Sequence, residues 1–183
     1  MKKIFLGAIA LGLSLTAFAK EDYSQPYMTI FTGYQLSPSN TKKQQLEDFG
    51  FSQDDHGFVG VAYGLPLKNG YAIQAEYSQV NASANGSTSE STQKDYAILG
   101  LKDVAKLNET SKVYALGGVG YSKLNGESVN SVENPLVIFG GGVNYKVNGS
   151  VTAVSEIRGQ YNTKTNYWQT QVVTGVKINL GLF

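Results

Sequence analysis

The stretch Leu136–Tyr161, LVIFGGGVNYKVNGSVTAVSEIRGQY, decides the fold. Apolar side chains recur at alternate positions, first up to Val147 and again from Val151. Between the two halves stands Asn148-Gly149-Ser150, and Asn and Gly tolerate the positive φ that tight hairpin turns require. Because a period of two is the strand period, this stretch predicts two antiparallel strands joined by a tight turn.

The same unit recurs along the chain from Tyr27 to the last residue. Each copy has the alternation and the length, about ten residues, of a transmembrane β-strand. Eight copies are present, and bacterial single-chain barrels have an even number of strands. The sequence therefore predicts an all-β fold, an eight-stranded antiparallel up-and-down transmembrane β-barrel. The predicted strands are Tyr27–Leu36, Gly57–Leu67, Tyr71–Ser78, Lys94–Val104, Lys112–Leu124, Leu136–Val147, Val151–Tyr161 and Thr170–Phe183.

One face of each predicted strand is apolar, and the other carries Gly or small polar residues that suit the crowded interior of a small barrel. In the fourth strand, Ala97, Leu99 and Leu101 form the apolar face, which we expect to contact lipid. The first strand alternates least regularly, because Tyr27 and Phe31 fall on its polar face. Periodicity assigns residues to two faces but does not say which face points outward. The outward direction therefore rests on other features of the sequence.

The connections between the predicted strands alternate in length. Ser37–His56, Asn81–Gln93 and Asn125–Pro135 are long and polar, whereas Lys68-Asn69-Gly70 and Asn148-Gly149-Ser150 are minimal. Outer-membrane barrels have long extracellular loops and short periplasmic turns. An exported lipocalin-like barrel, the soluble alternative, would turn its apolar face inward around a ligand. The asymmetry of the connections favours the membrane barrel.

Tyrosines near the strand ends, on the apolar faces, also favour a membrane. The amphipathic ring of Tyr is enriched at the two membrane–water interfaces, where it forms aromatic girdles. We therefore predict an interfacial aromatic girdle. Its members are Tyr34, Tyr63, Tyr71, Tyr77, Tyr121, Tyr145 and Tyr161.

The N-terminus has the pattern of a cleaved secretory signal peptide. Lys2 and Lys3 precede an apolar run, and Ala17-Phe18-Ala19 provides a small-x-small cleavage site. We predict that residues 1–19 are removed and that residues 20–183 form a single domain. A single transmembrane helix, the alternative, needs about 20 apolar residues. Without Lys2 and Lys3 the formal charge falls from +1 to −1, a balance that offers nucleic acid no electrostatic footprint.

Glycine-rich strands and a terminal aromatic residue characterise Tyr114–Tyr121 (YALGGVGY), Phe139–Tyr145 (FGGGVNY) and Phe183. Together with the ordered set of strands, these tracts resemble the small outer-membrane barrels of the OmpA/OmpX type. The resemblance implies a monomer in the outer membrane of a Gram-negative bacterium, in contact with membrane lipid and lipopolysaccharide. It also implies that Phe183 is an assembly signal for the barrel-assembly machinery, and that the loops contact a host or another surface ligand.

The position of Phe183 departs from this resemblance. In typical members the terminal Phe shares the lipid-facing side with apolar residues, but here Lys177, Asn179 and Gly181 share its parity. Placing Lys177 in lipid near mid-bilayer would cost about 2–4 kcal/mol, so we expect the even-numbered side chains to face the lipid. A bulge or a frayed last residue would then reconcile Phe183 with the strand.

Four charged residues, Glu76, Glu156, Arg158 and Lys177, fall on inward faces near the strand centres. A lone charge removed from water costs several kcal/mol unless it is paired, and two acids can pair with two bases. An eight-stranded barrel is just wide enough for side chains to fill it. We interpret the four residues as a barrel-interior charge cluster that plugs the lumen. The alternative is a narrow gated pore in which the partners exchange, as the resemblance to OmpA-type barrels allows.

A lipid A-modifying enzyme is the remote alternative. His56 is the only histidine, with Asp54 and Asp55 beside it, but no nucleophile motif accompanies this candidate base. Three adjacent side chains in an extended segment do not converge on one metal ion. We predict no catalytic residue, no metal and no cofactor. The sequence favours an integral outer-membrane protein with a structural or surface-interaction, adhesion-like role carried by its extracellular loops.

Overall fold

The structure, a computed structural model, describes residues 25–36, 56–83, 90–126, 129–164 and 166–182. The predicted signal peptide, most of the first predicted loop and Phe183 lie outside these ranges. Within them the chain is mostly β-strand. None of the helices in the described ranges is long and apolar enough to cross a membrane.

Eight antiparallel strands form one closed barrel, which confirms the predicted fold class. The strands are β1 Tyr27–Leu36, β2 His56–Pro66, β3 Tyr71–Ser83, β4 Glu90–Lys106, β5 Ser111–Gly126, β6 Val129–Lys146, β7 Val151–Asn162 and β8 Tyr167–Asn179. Each strand pairs with its neighbours along the chain, and β8 pairs back with β1. Short 3-10 helices follow β2 and β8, at Lys68–Gly70 and Leu180–Leu182. Closure pairs every strand on both sides, as lipid requires of a sheet.

Tight turns connect β2 to β3, β4 to β5 and β6 to β7 at one end of the barrel. In the first of them, Asn69 and Gly70 have φ of 60° and 73°, the left-handed conformation that an Asn-Gly turn predicts. The β6–β7 turn closes differently, because the Asn148 side-chain oxygen accepts backbone N–H groups two and three positions on, both at 2.9 Å. Asn108 accepts the N–H two positions on in the β4–β5 turn, at 2.9 Å. In these two turns Asn acts as a side-chain acceptor.

The strands at the opposite end extend further than the apolar alternation indicates. β4 already begins at Glu90, inside the predicted loop Asn81–Gln93. The predicted loop Asn125–Pro135 is wrong, since β6 begins at Val129 and pairs with β5. Beyond the membrane both faces of a sheet can meet water, so a strand there needs no apolar side chains. Alternation therefore reports the membrane-spanning part of each strand and misses its extension.

The predicted orientation of β4 is wrong. Ala97, Leu99 and Leu101 face the interior, whereas Ile98 faces outward with 54% of its surface exposed. A strand with an apolar inner face shows the same period as one with an apolar outer face, so alternation alone could not separate the two. Leu99 packs in an apolar cluster on the β4–β7 side of the lumen. The buried members of the cluster are Leu99, Leu101, Tyr114, Leu116, Leu136, Ile138 and Val154.

The last strand is displaced relative to its prediction. It runs from Tyr167 to Asn179 instead of Thr170 to Phe183, and the chain then turns in a 3-10 helix. Lys177 is half-buried on the inward side, as its charge requires. Because the chain leaves the sheet before Phe183, the parity that Phe183 shares with Lys177 requires no bulge in β8.

The outer surface of the barrel is apolar. In β1, Met28, Ile30 and Leu36 are exposed, while Tyr27 and Phe31 are buried in the lumen, so the irregular alternation of this strand reflects aromatic residues on its inner face. The other strands present the same kind of outer face, which suits the acyl chains of a membrane. Its exposed apolar residues include Val59, Val61, Ile73, Ile98, Val119, Val137, Phe139, Ile157, Val172 and Val176.

Candidate functional site

Packed apolar side chains fill much of the barrel interior. Opposite the β4–β7 cluster lies a second one, in which the rings of Phe31 and Phe58 meet edge to face with centroids 6.4 Å apart. Glycines admit these rings, since a Cβ at Gly60 would lie 2.4 Å from the Phe31 ring and one at Gly33 would lie 2.3 Å from the Phe58 ring. The inward glycines are therefore space for aromatic side chains, as a crowded small barrel requires. The second cluster consists of Phe31, Phe58, Ala62, Val80 and Val173.

An ion-paired network crosses the lumen between these clusters. The Arg158 guanidinium binds Glu76 in a bidentate manner, with N–O distances of 2.6 and 2.8 Å, and also pairs with Glu156 on its own strand. Glu76 is on β3 and Arg158 on β7, four strands apart in a barrel of eight, so the pair spans the interior. The three side chains expose only 3–6% of their surface. Bidentate geometry is the strongest that such a pair can adopt.

Neutral side chains donate further hydrogen bonds to the two carboxylates. Gln74 donates to Glu76 at 2.5 Å and accepts from the Tyr27 hydroxyl at 2.9 Å. The Tyr114 hydroxyl donates to Glu156 at 2.5 Å. A buried charged network stabilises a fold only when its members satisfy one another, and this one meets that condition.

Lys177 stands apart from the network. Its ammonium group donates to the Asn144 side-chain oxygen at 3.3 Å and lies 4.3 Å from the Tyr27 ring centroid and 5.9 Å from that of Tyr114. No carboxylate of the described residues lies within 4.0 Å of it. The aromatic faces stabilise the cation instead. The structure thus brings three of the four predicted cluster residues together and places Lys177 closer to the turns.

A cavity of 860 Å³ occupies the turn end of the barrel. Its lining extends from the turns to Tyr27, Tyr114 and Lys177. Charged side chains of both signs line it, including the exposed pair Lys112–Asp103 with an N–O distance of 2.9 Å. The cavity is a polar vestibule on the turn side of the ion-paired network.

Polar side chains form the interior at the opposite end. Gln160 donates to Gln171 at 3.1 Å, and Gln171 donates to Gln35 at 3.4 Å. The carboxylate of Asp95 is also buried here. Sequence reasoning missed Asp95 because it shares the parity of Ala97 and Leu99, which the alternation assigned to the lipid. An acid on a supposedly lipid-facing side was the available signal that β4 is oriented the other way.

The predicted girdle tyrosines lie on the outer surface in two belts. Tyr63, Tyr71 and Tyr145 lie toward the turn end, and Lys102 places its ammonium 4.0 Å from the Tyr71 ring centroid. The four members toward the loop end are Tyr34, Tyr77, Tyr121 and Tyr161.

Two aromatic residues that the sequence reasoning missed complete the loop-side belt. Tyr96 lies between Tyr77 and Tyr121, with ring centroids 5.2 and 5.0 Å away. The ring centroids of Trp168 and Tyr161 are 4.8 Å apart. Trp168 was missed because it precedes the predicted start of the last strand. Tyr96 was missed because the alternation assigned the wrong face of β4 to the lipid, and Tyr96 lies on the face that points outward.

The catalytic and metal hypotheses concern Asp54, Asp55 and His56. Asp54 and Asp55 lie outside the described residues, and only the backbone of His56 is described, at the start of β2. No group of three or more His, Cys, Asp or Glu side chains in the described ranges could hold a metal ion.

Comparisons with known proteins agree with this architecture, although no protein-family model matches the chain. Outer membrane protein Omp38 of Acinetobacter baumannii is 30% identical over 193 residues, which cover 99% of this chain and 54% of Omp38. The chain therefore spans about half the length of the curated relatives it matches.

Solved structures are similar in fold at low sequence identity. Neisserial surface protein A has a TM-score of 0.67 and 12% identity, over 87% of this chain and all of that one. Ail of Yersinia pestis, solved in complex with the heparin analogue sucrose octasulfate, has a TM-score of 0.59 and 12% identity, over 85% of this chain and 97% of Ail.

The closed barrel, its apolar outer face and these likenesses define an eight-stranded β-barrel protein of the bacterial outer membrane. More narrowly, the chain resembles the small outer-membrane barrels of the OmpA/OmpX-like type, and its location is the outer membrane of a Gram-negative bacterium. The predicted class and location are thereby confirmed. The tight-turn end is the periplasmic end, and the opposite end faces the cell exterior.

Proposed function

We propose that this protein is a sealed membrane platform whose extracellular parts contact ligands at the cell surface. The packing of the lumen carries the proposal. Arg158 and Glu76 bridge the barrel from β7 to β3, with an apolar cluster on either side of the bridge. A side-chain interior of this kind opposes the continuous water path that a diffusion pore needs. Function is then expected outside the lumen.

The extracellular side supports a surface role. β4 begins six residues before Tyr96, and β6 begins six residues before Pro135, the partner of Tyr121 in the loop-side belt. At about 3.3 Å per residue, each strand continues for roughly 20 Å along its own axis beyond that belt. The neighbouring structure of Ail contains a heparin analogue. We infer that the extended hairpins of this barrel likewise offer a surface to ligands.

Binding by intact cells tests the surface role. We expect cells that display the protein to bind immobilised heparin or an epithelial monolayer more strongly than cells without it. Shortening the connection at 84–89, or that at 37–55, should reduce binding severalfold. Replacing the periplasmic turn 148–150 with another three-residue turn is the matched control and should leave binding unchanged. Equal binding by all variants and by cells lacking the protein would refute the surface role.

Conductance in planar bilayers tests the sealed lumen. We expect no single-channel events from the wild-type protein. Glu156→Ala removes a ligand of Arg158 and opens space beside Tyr114, so it is the variant in which leakage should appear first. Frequent events in the wild type would contradict a plugged barrel.

A narrow gated pore is the second candidate. The position of Lys177 favours it, since its ammonium group has no carboxylate within 4.0 Å in the described ranges. The Tyr114 hydroxyl donates to Glu156, and the Tyr114 ring centroid lies 5.9 Å from the Lys177 ammonium group. In such a gate, Glu156 would change its ion-pair partner from Arg158 to Lys177. A gate of this kind predicts wild-type channel events that Lys177→Met abolishes. Silent bilayers from both the wild type and Glu156→Ala would remove the gate.

Contact with lipopolysaccharide is a further proposal, supported by a pair of like charges. Lys94 and Lys123 face each other directly across β4 and β5, on the outer side just beyond Tyr96 and Tyr121. No ion pair of either lysine occurs among the described residues, although Glu133 lies across from Lys123. Like charges placed directly opposite destabilise a sheet, so an anion from the outer leaflet would stabilise them.

Retention on lipid A tests this contact. We expect the Lys94→Ala, Lys123→Ala double variant to bind lipid A in mixed micelles several times more weakly than the wild type. Lys102→Ala, at the periplasmic belt, removes a comparable charge and should change little. Equal binding by the double variant and the wild type would contradict the proposed contact.

The resemblance to OmpA/OmpX-type barrels supports three more proposals. We propose that the protein is a monomer, that the barrel-assembly machinery recognises Phe183, and that the protein catalyses no reaction. Size-exclusion chromatography in detergent tests the monomer, and a dimer would overturn it. The amount of assembled Phe183→Ala protein tests the assembly signal, and unchanged assembly would overturn it. The lipid A profile of overexpressing cells tests the absence of catalysis, and altered lipid A would overturn it.

A further inference from the structure

One transverse row of inward side chains in the extracellular half of the barrel has properties that the plug does not explain. Asp95 on β4 lies directly opposite Ser122 on β5, and Ser122 lies directly opposite Asn134 on β6. On the other side of Asp95, Ser78 occupies the same row on β3. All four residues offer oxygen atoms, and they come from four consecutive strands.

The members of this row are deeply buried. Asp95 exposes 6% of its surface, Ser122 2% and Asn134 1%. The next inward residues toward the periplasm are Ala97, Gly120 and Leu136, which belong to or border the apolar β4–β7 cluster. The apolar layer separates the row from the water of the periplasmic vestibule.

The carboxylate of Asp95 has no basic partner in the described part of the chain. It accepts hydrogen bonds at 3.0 and 3.2 Å from the side-chain amide of Gln93, and its other hydrogen-bonding neighbour is the Ser122 hydroxyl, so both donors are neutral. No Lys, Arg or His nitrogen of the described residues lies within 4.0 Å. An ionised carboxylate in such surroundings carries a large desolvation cost. Either a proton or a bound cation would offset that cost.

The neighbouring oxygens favour a cation. Both polar atoms of the Asn134 amide have no hydrogen-bond partner within the described ranges, and the Ser122 hydroxyl has none there besides the Asp95 carboxylate. Protonation of Asp95 would leave most of these buried atoms unsatisfied, at a cost for each. A bound cation would engage the Asp95, Ser122 and Asn134 oxygens together, and a water molecule on the cation would accept from the Asn134 amide nitrogen.

We propose that Asp95, Ser122 and Asn134 form a calcium-binding site inside the extracellular half of the barrel. Ca²⁺ takes 6–8 oxygen ligands in flexible geometry, from carboxylates, amide carbonyls and water. Directly opposite residues on adjacent strands have Cβ atoms about 5 Å apart, and the concave wall of the barrel brings their side chains closer at its axis. The two Asp95 oxygens, with Ser122, Asn134 and Ser78, supply up to five ligands, and water supplies the rest.

The composition of the site predicts a modest affinity. With one carboxylate, the site should bind with a dissociation constant of about 10⁻⁴–10⁻³ M, the range of extracellular calcium modules. Most of the ligands are neutral, so the site contains no cluster of acidic or His side chains. The proposal does not depend on a surface or a pore role, since it concerns only these interior residues.

Thermal unfolding of protein refolded in detergent without lipopolysaccharide tests the site, since lipopolysaccharide itself binds divalent cations. We expect 10 mM CaCl₂ to raise the midpoint of the gel-mobility transition by about 3–10 °C relative to EDTA at matched ionic strength, the shift expected at roughly 10–100 times the dissociation constant. Asp95→Asn, which keeps the shape and removes the charge, should lose the shift. Asn134→Leu should show a smaller one.

Two comparisons keep the test decisive. Asp103→Asn removes an acid at the periplasmic end and should respond to calcium like the wild type. In EDTA, Asp95→Asn should be at least as stable as the wild type, because it removes an uncompensated buried charge. The site is refuted if the wild type shows no calcium shift, if Asp95→Asn keeps the shift, or if Asp95→Asn is the less stable protein in EDTA.

Discussion

At the scale of single residues, Arg158 has the greatest effect on its surroundings. It is the base that pairs with both Glu76 and Glu156, and it does so with 3% of its side-chain surface exposed. Breaking a buried pair by removing one partner destabilises a protein by roughly 3–5 kcal/mol, because the other charge stays buried.

We therefore expect Arg158→Met to lower the free energy of unfolding by roughly that amount, 3–5 kcal/mol. Urea titration of protein folded into lipid vesicles measures it. Lys112→Met breaks the exposed pair with Asp103 and should cost at most about 1 kcal/mol. Similar losses in the two variants would show that the network contributes no more than a surface ion pair.

Gly118 is a second residue with a large effect on stability, because the absence of a side chain allows β4 and β5 to approach closely. A Cβ at this inward position would lie 2.1 Å from the Ile98 carbonyl oxygen and 2.8 Å from Cα of Leu99, both backbone atoms. Since the backbone of a closed barrel cannot shift freely, we expect Gly118→Ala to cost about 1–3 kcal/mol. At Gly149 nothing lies within 4 Å, so Gly149→Ala should stay within about 0.5 kcal/mol of the wild type in the same titration. Equal free energies of unfolding for Gly118→Ala and Gly149→Ala would contradict the close approach of β4 and β5.

Much of the interior could be predicted from single residues, but not all of it. An acid or base at an inward parity must be paired or satisfied, which identified Glu76, Glu156 and Arg158. The separation of Lys177 from them could not be predicted, because it depends on the rings of Tyr27 and Tyr114 from other strands. The partner of an inward charge follows from strand register, which a single sequence does not contain.

At the scale of the strand, β4 shows the limit of hydrophobic alternation. Its two faces are both partly apolar, with Leu99 inside and Ile98 outside. The decisive signal is its register with its neighbours, which aligns Tyr96 with Tyr77 and Tyr121 in the loop-side belt. The other strands have polar inner faces at more positions, so their direction could be inferred without register.

Single-cysteine variants test the orientation of β4 without interference, because the chain has no Cys. A spin label at Ile98→Cys should be accessible to oxygen dissolved in the lipid. At Leu99→Cys the side chain faces the packed lumen, so the label should be immobile and at least several times less accessible. Power-saturation measurements in liposomes give both values. Greater oxygen access at residue 99 than at residue 98 would restore the orientation that alternation indicates.

At the scale of the whole molecule, the barrel should behave as one cooperative unit. Every strand is paired on both sides, so no strand can leave without breaking two ladders. We expect the protein to require detergent for solubility. Without boiling it should migrate on a denaturing gel as a compact species distinct from the boiled one. Arg158→Met should convert to the boiled mobility at a lower temperature than Lys112→Met. Identical mobility before and after boiling would contradict a closed barrel.

The number of strands and the polarity of the barrel were predictable from repetition and connection length. The extracellular extensions of β3–β6 were not, because pairing alone holds a strand together where both its faces meet water. The C-terminal turn at Leu180–Leu182 was equally hidden, since Leu180 and Leu182 continue the apolar parity of β8 after the ladder has ended.

The pairing of β1 with β8 has a consequence for biosynthesis. Ten residue pairs, from Tyr27–Asn179 to Leu36–Thr170, join the first strand of the barrel to the last one. The cylinder therefore cannot shut before β8 has been synthesised. A nonsense codon within β8 would leave β1 and β7 with unpaired edge amides, and such a product should be degraded before it reaches its membrane.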